Sequence, residues 1–186
     1  RDCSRIFFKP MSISNIRSNY YRIRLPHVLT DSTHGEMSSF EIICVRVQDT
    51  MGNEGLGYTY TVGTGGEAIK NIIDKDLKPI LINEDENLIE NLWKKMWWHL
   101  HYVGRGGLPV FAISAIDIAL WDLKSKKMNL PLWIALGGCD SQVAAYAGGI
   151  DLQFSMDELL LQTEENLKKG FKAIKMKVGR RLFSED

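Results

Sequence analysis

The sequence predicts an α+β domain over residues 12–138, followed by the opening β/α units of an α/β domain over residues 139–186. Three observations predict it. Short alternating segments crowd the N-terminal third, helical periodicity takes over from Glu67, and strand and helix signals begin to alternate near Asp140. Strands followed by a run of helices indicate an α+β arrangement, whereas strand–helix alternation indicates a parallel sheet.

Residues 1–11 read as an upstream tail, because patterning begins only beyond Met11. Tyr21–Leu25 alternates as a strand should, and Pro26 is expected to end it. Phe40–Val47 is rich in β-branched residues, the turn cluster Asp49–Asn53 follows, and Leu56, Tyr58 and Tyr60 then alternate with Gly57 and Thr59. These segments form a small antiparallel meander. Between its first two strands, Thr30–Glu36 reads as a polar loop too long for a tight hairpin. Because Thr30–Ser39 contains Gly35 and offers no obvious apolar anchor before Phe40, it is expected to be a poorly ordered lid that closes on ligand binding.

Ala68, Ile69, Ile72, Ile73 and Leu77 share a helical face, with Pro79 expected to close the segment. Glu84-Asp85-Glu86 place negative charge where a helix N-terminus favours it, ahead of the stripe Leu88, Ile89, Leu92, Trp93, Met96 and Trp97. After Gly104-Arg105-Gly106-Gly107, Pro109 opens a third helix carrying Phe111, Ile113, Ile116, Ala119, Leu120 and Leu123. Pro131 starts a short fourth helix and Gly137-Gly138 ends it. Val143–Ala147 then reads as a strand, Met156–Lys169 as an amphipathic helix and Phe171–Val178 as a second strand. A strand–helix–strand unit implies a parallel pair.

Composition narrows the function classes. Lysine plus arginine and aspartate plus glutamate each number 23 in the 186-residue sequence, so no net field draws nucleic acid or an anionic membrane. No apolar run approaches the roughly 20 residues of a membrane span. Cys3, Cys44 and Cys139 are too far apart for a zinc motif or a disulfide framework, which points to a reducing, cytoplasmic setting.

The sharpest chemical feature is Lys175-Met176-Lys177 at the end of the last predicted strand. Alternation sends Lys175 and Lys177 to one side and Met176 to the other. In isolation the pair reads as a solvated strand face. In a parallel sheet covered on both faces, paired lysines are costly except at the C-terminal mouth of a barrel, where such folds keep their active sites. A lysine at its ordinary value of about 10.4 is a poor base at neutral pH. A neighbouring cation and partial desolvation both favour the neutral amine, so one lysine can become a general base while the other stabilises developing negative charge.

Ala112-Ile113-Ser114-Ala115-Ile116-Asp117-Ile118-Ala119-Leu120-Trp121-Asp122, then Leu130-Pro131-Leu132 and Leu136-Gly137-Gly138, then Gly170-Phe171-Lys172-Ala173-Ile174-Lys175-Met176-Lys177-Val178-Gly179 fall in order along the chain. The series resembles the capping domain, barrel entry and second barrel strand of mandelate racemase/muconate lactonizing enzyme-like members of the enolase superfamily. Tyr102–Gly107 is most similar to the acid-sugar dehydratases of the galactarate/talarate type.

The resemblance implies a capping domain on a TIM barrel that is incomplete in this chain. It also implies proton abstraction α to a carboxylate with Mg2+ as cofactor, Lys177 as base and Lys175 as the partner near the carboxylate. The metal ligands are expected beyond Asp186. Dehydration of an acid sugar is the first expectation, with a racemase or epimerase of a 2-hydroxy acid as the alternative. A small-molecule carboxylate substrate and a homo-oligomer complete the picture. A truncated, inactive fragment is the alternative of another class, and this chain by itself is expected to be inactive, because two barrel strands cannot close a barrel.

His34 and Tyr60 are the candidate substrate contacts from the capping-domain loops. His34 fits a lid contact and a plain surface residue equally, and Tyr60 fits packing better than contact. His99 and His101 do not have zinc-pair spacing. Asp117 and Asp122 fit a cap or salt-bridge role within their helix, and Gly63-Thr64-Gly65-Gly66 reads as a turn rather than a phosphate loop.

Overall fold

The computed structural model describes residues 11–180. Cys3 and nearly all of the expected upstream tail lie outside the described residues. Strands β1 (Ile13–Asp31), β2 (Gly35–Asp49) and β3 (Glu54–Thr61) form a three-stranded antiparallel sheet in the order β1-β2-β3. The chain divides into two compact units, Arg1–Tyr21 with Glu41–Gly138, and Arg22–Phe40 with Cys139–Asp186.

In the first unit the apolar face of the sheet, with Ile13, Ile16, Ile43, Val45 and Val47 buried, is covered by helices. Helix α1 (Gly66–Asn71) continues through a π-helical stretch, Ile72–Leu77, into α2 (Lys78–Leu81). Pro79 therefore does not end the segment. It sits in the first turn of α2, where a missing N–H is tolerated, and the wider π turn ahead of it relieves the clash that a proline ring meets in a regular helix. Helices α3 (Ile89–His99) and α4 (Leu108–Lys127) complete the core through Leu92, Met96, Ile116, Leu120 and Leu123. Short α5 (Leu132–Ala135) follows Pro131 as expected.

Strand β3 carries its larger residues on the outside. Gly55, Gly57 and Thr59 are buried while Leu56, Tyr58 and Tyr60 are exposed. A Cβ at Gly55 would overlap the Ala119 carbonyl oxygen, and one at Gly57 would overlap that of Ala115, so the strand lies against the α4 backbone itself. Small residues on both partners, Gly55 and Gly57 against Ala115 and Ala119, permit that approach.

Strand β1 runs straight through Pro26, contrary to expectation. It is the edge strand of its sheet, where a residue without an N–H breaks no ladder on the open side. The connection from Asp31 to Gly35 is also a tight turn and not a long loop. Gly35 adopts φ 67°, the left-handed conformation that closes short hairpins. Met37, overlooked as an anchor, is buried. The expected lid is thus the tip of a regular β-hairpin.

The second unit contains a parallel pair, β4 (Ala147–Gly148) and β5 (Ile174–Lys175), joined through α6 (Met156–Lys168). The parallel direction is as predicted, but both strands are shorter than Val143–Ala147 and Phe171–Val178. Ladder pairing stops at Lys175, and side-chain hydrogen bonds hold the chain beyond it.

Candidate active site at the end of the parallel strands

The site is built on the second unit. Lys175 pairs with Gly148 across the ladder, and its carbonyl accepts the Gly149 N–H at 2.8 Å. Two residues on, the Lys177 backbone N–H donates to Oδ1 of Asp151 at 2.9 Å. Asp151 is 2% exposed, and its other oxygen accepts from Gln162 Nε2 at 2.7 Å, so α6 and the loop after β4 jointly fix the Lys177 backbone. Gly149 is required here, because a Cβ at that position would overlap the Asp151 carboxylate.

The hairpin tip supplies the other wall. Thr30 bridges Asp151 in parallel fashion, and the Leu152 N–H donates to the Thr30 carbonyl at 3.2 Å. Asp31 Oδ1 accepts the backbone N–H groups of Thr33 at 2.9 Å and His34 at 2.6 Å, an Asx turn that folds the tip. The Asp31 carboxylate also meets His34 Nδ1 at 2.9 Å and Lys177 Nζ at 3.7 Å. The His34 backbone N–H, then its ring, hold the Asp31 carboxyl down at about 2, although burial opposes the shift. Asp31 is therefore an anion at any physiological pH.

The structure thus brings His34 and Lys177 together through Asp31, with Lys175 on the adjoining strand. Tyr60 lies in the first unit, on the face of β3 turned away from α4, and is 54% exposed. Sequence reasoning missed Asp31, Asp151 and Gln162. Asp31 had a local signal, an aspartate four residues before a turn glycine. Asp151 had a weaker one in the preceding Gly148-Gly149, and Gln162 had none.

The remaining candidates have structural partners or none. Asp122 accepts the Leu56 N–H at 2.7 Å and pairs with Lys126 at 2.7 Å, the structural role expected of it. Asp117 has no cap or salt bridge among the described residues; burial first, and neighbouring Glu90 second, push its carboxyl up. The Gly66 N–H at the start of α1 donates to the buried Glu41 carboxylate at 2.8 Å, so that helix end is satisfied internally. Arg105 stacks over the rings of Trp98 and Trp97, at 4.6 and 5.3 Å from their centroids. Among the described residues no group of three or more His, Cys, Asp and Glu side chains converges as a cation site, and no helix is long and apolar enough to cross a membrane.

The sequence model of the mandelate racemase/muconate lactonizing enzyme N-terminal domain matches residues 13–137. The chain belongs to this family, within the enolase superfamily. It is 53% identical over 174 residues to the 3,6-anhydro-alpha-L-galactonate cycloisomerase of Streptomyces coelicolor, covering 94% of this chain and 48% of that enzyme. It is 36% identical over 152 residues to the L-talarate/galactarate dehydratase of Salmonella typhimurium, covering 81% and 38%.

A racemase from Streptomyces coelicolor A3(2), crystallised with bound magnesium, superposes with a TM-score of 0.92 at 53% identity, covering 94% of this chain and 49% of that one. The Salmonella dehydratase, liganded with Mg and L-lyxarohydroxamate, superposes with a TM-score of 0.89 at 30% identity, covering 96% and 47%. The chain spans about half the length, or less, of the curated family members it matches. Its three-stranded sheet and helices are the capping architecture of these family members, and its β4–α6–β5 unit is part of their barrel.

Proposed function

We propose that residues 12–138 cap, and residues 139–186 begin, the barrel of an enzyme that removes the proton α to a carboxylate. Lys177 is the base and Lys175 faces the substrate carboxylate. The observation that carries this reading is the anchored Lys-x-Lys segment beside a parallel strand end, in a chain of this family. His34, on the hairpin tip, is the proposed contact for the distal end of the substrate, and Tyr60 a second one. The intact protein is proposed to be a homo-oligomer acting on a small sugar-derived carboxylate.

Dehydration and cycloisomerisation are here one elimination with two outcomes. Base removes the α-proton, the electron pair moves into the Cα–Cβ bond, and the β-oxygen leaves with a proton. In an open-chain acid sugar that oxygen departs as water. In a 3,6-anhydro sugar acid it stays tethered through C6, and the product is an isomer. The higher identity to the cycloisomerase favours the tethered outcome over the open-chain one; the racemase/epimerase alternative shares the same first proton transfer.

Magnesium, bound in the Streptomyces and Salmonella structures, is the proposed cofactor, but the described residues do not form its site. A hard cation needs several converging oxygens, and Asp31 and Asp151 are committed to His34, Lys177 and Gln162. The proposed ligands lie outside residues 11–180.

Lys177→Met in the intact protein tests the assignment. Folding should survive, and exchange of the substrate α-proton with solvent deuterium should fall by roughly 10² to 10⁴, the usual loss when a general base is removed. Near wild-type exchange in the folded variant would sink the assignment of Lys177 as base.

A further inference from the structure

We propose that Asp31 is the positioning counter-ion of Lys177, and that it ties the folded state of the hairpin tip to the charge state of that lysine. The proposal rests on the reading of Lys177 as the base, and it adds a residue that the Lys-x-Lys pattern does not contain. Considered along the sequence, Lys177 has a cation, Lys175, as its neighbour. In three dimensions its Nζ pairs with the Asp31 carboxylate at 3.7 Å, with Lys177 28% and Asp31 10% exposed at the side chain. A pair so shielded is screened far less than one on the surface.

The carboxylate is also built into place. Its Oδ1 is fixed by the Thr33 and His34 N–H groups, and the His34 ring closes on it from the solvent side. Among the described residues, the ionisable groups tied to Lys177 are Asp31 and, through it, His34 from the hairpin, Asp151 at its backbone N–H and Lys175 on its own segment. Asp151 meets the Lys177 backbone N–H and Gln162, whereas Asp31 is the carboxylate that pairs with Lys177 Nζ among the described residues. Any displacement of the turn moves Asp31 and His34 together, because the Asp31 carboxylate holds both the backbone N–H and the ring of His34.

Asp31→Asn keeps an oxygen acceptor for the Thr33 and His34 N–H groups, removes the charge and replaces the oxygen facing His34 Nδ1 and Lys177 Nζ with an amide NH2. In this variant of the intact protein, acylation of Lys177 at fixed neutral pH, read by peptide mass spectrometry without substrate or metal, should run about three- to tenfold faster. Lys175 serves as the internal comparison and should change less. The acid limb of kcat/KM should shift to lower pH.

If Asn does not support the turn, Asp31→Ser offers a shorter uncharged cap, and amide exchange at Thr33 and His34 reports which variant is folded. An unchanged Lys177 labelling rate in a folded variant overturns the proposal. Labelling that quickens while the kinetic limb stays put sustains the counter-ion role and counts instead against Lys177 as the base.

Discussion

The two units of this chain are held together by different means. The first buries a continuous apolar core, with Ile16, Ile43, Leu77, Leu92, Ile116 and Leu120 inaccessible to solvent. The second unit is only the opening part of a barrel, and the contacts described within it are largely polar: Asp151 and Asp31 gather Gln162, His34, Lys177 and two turn amides. Buried apolar area is non-directional and supplies stability, whereas a carboxylate with named donors fixes particular atoms at particular distances. The first unit is therefore the scaffold, and the second is where position is specified residue by residue.

The division between the units is least clean where the first unit also buries charge around Lys127. Lys127, 15% exposed at the side chain, contacts Glu86 at 2.5 Å and Asp49 at 3.4 Å, both carboxylates being essentially inaccessible. Glu86 Oε2 has no hydrogen-bond partner among the described residues. Lys127→Met strands two buried anions and should destabilise the first unit by roughly 3–5 kcal/mol, the usual result of breaking a buried pair on one side. Urea denaturation followed by the fluorescence of the stacked Trp93–Trp97 pair reads this unit directly. A midpoint within error of wild type would mean that the pair contributes no more than a surface contact.

A smaller effect follows from titrating the same cluster. Burial raises the Asp49 carboxyl, but the Asn53 side chain, the Asn53 and Met51 N–H groups and Lys127 together outweigh it and leave it low. Its contribution is therefore fully present above the ordinary carboxylate value of about 3.9 and is lost as pH falls through the lower folded value. Burial pulls the Lys127 ammonium down, and Glu86 and Asp49 more than restore it, so the net shift is upward. That contribution is fully present below about 10.4 and is lost as pH rises through the higher folded value. Melting temperature against pH should show a plateau between these limits, and Asp49→Asn should flatten its acid edge. An acid edge of unchanged steepness in that variant would remove Asp49 from the account.

How much of this was legible follows the same division. The core helices could be read because Leu92, Met96, Ile116 and Leu120 repeat at helical spacing and the burial follows it. The parallel pairing could be read from the strand–helix–strand order. Pro26 and Pro79 misled because a proline's effect depends on its surroundings, an open sheet edge in one case and a π turn in the other. Tyr60 fitted packing because it is a large apolar ring alternating with Gly57 and Thr59. Only the approach of α4 to Gly55 and Gly57 decides the matter, and that is a tertiary fact. The lysines of the site announced themselves as a short motif. Asp31 and Asp151 did not, because their partners are local backbone amides and side chains remote in sequence, and neither leaves a periodic trace.

The smallest expected effect tests whether the second unit responds locally. Helix α6 begins with a reciprocal cap. The Ser155 Oγ accepts the Glu158 N–H at 3.3 Å, and the Glu158 carboxylate accepts the Ser155 N–H at 2.7 Å. Ser155→Ala should destabilise α6 by about 1 kcal/mol, the ordinary cost of losing a serine cap. Amide exchange in the first turn of α6 should then quicken about fivefold, while the tryptophan-reported midpoint of the first unit stays where it was. Because Gln162 reaches Asp151 from this same helix, loosening α6 should also speed exchange at the Lys177 amide, which Asp151 protects. If α6 quickens and Lys177 does not, the Gln162–Asp151 link transmits nothing to the site. If the first unit's midpoint moves as well, the two units share more of their stability than their separate means of support imply.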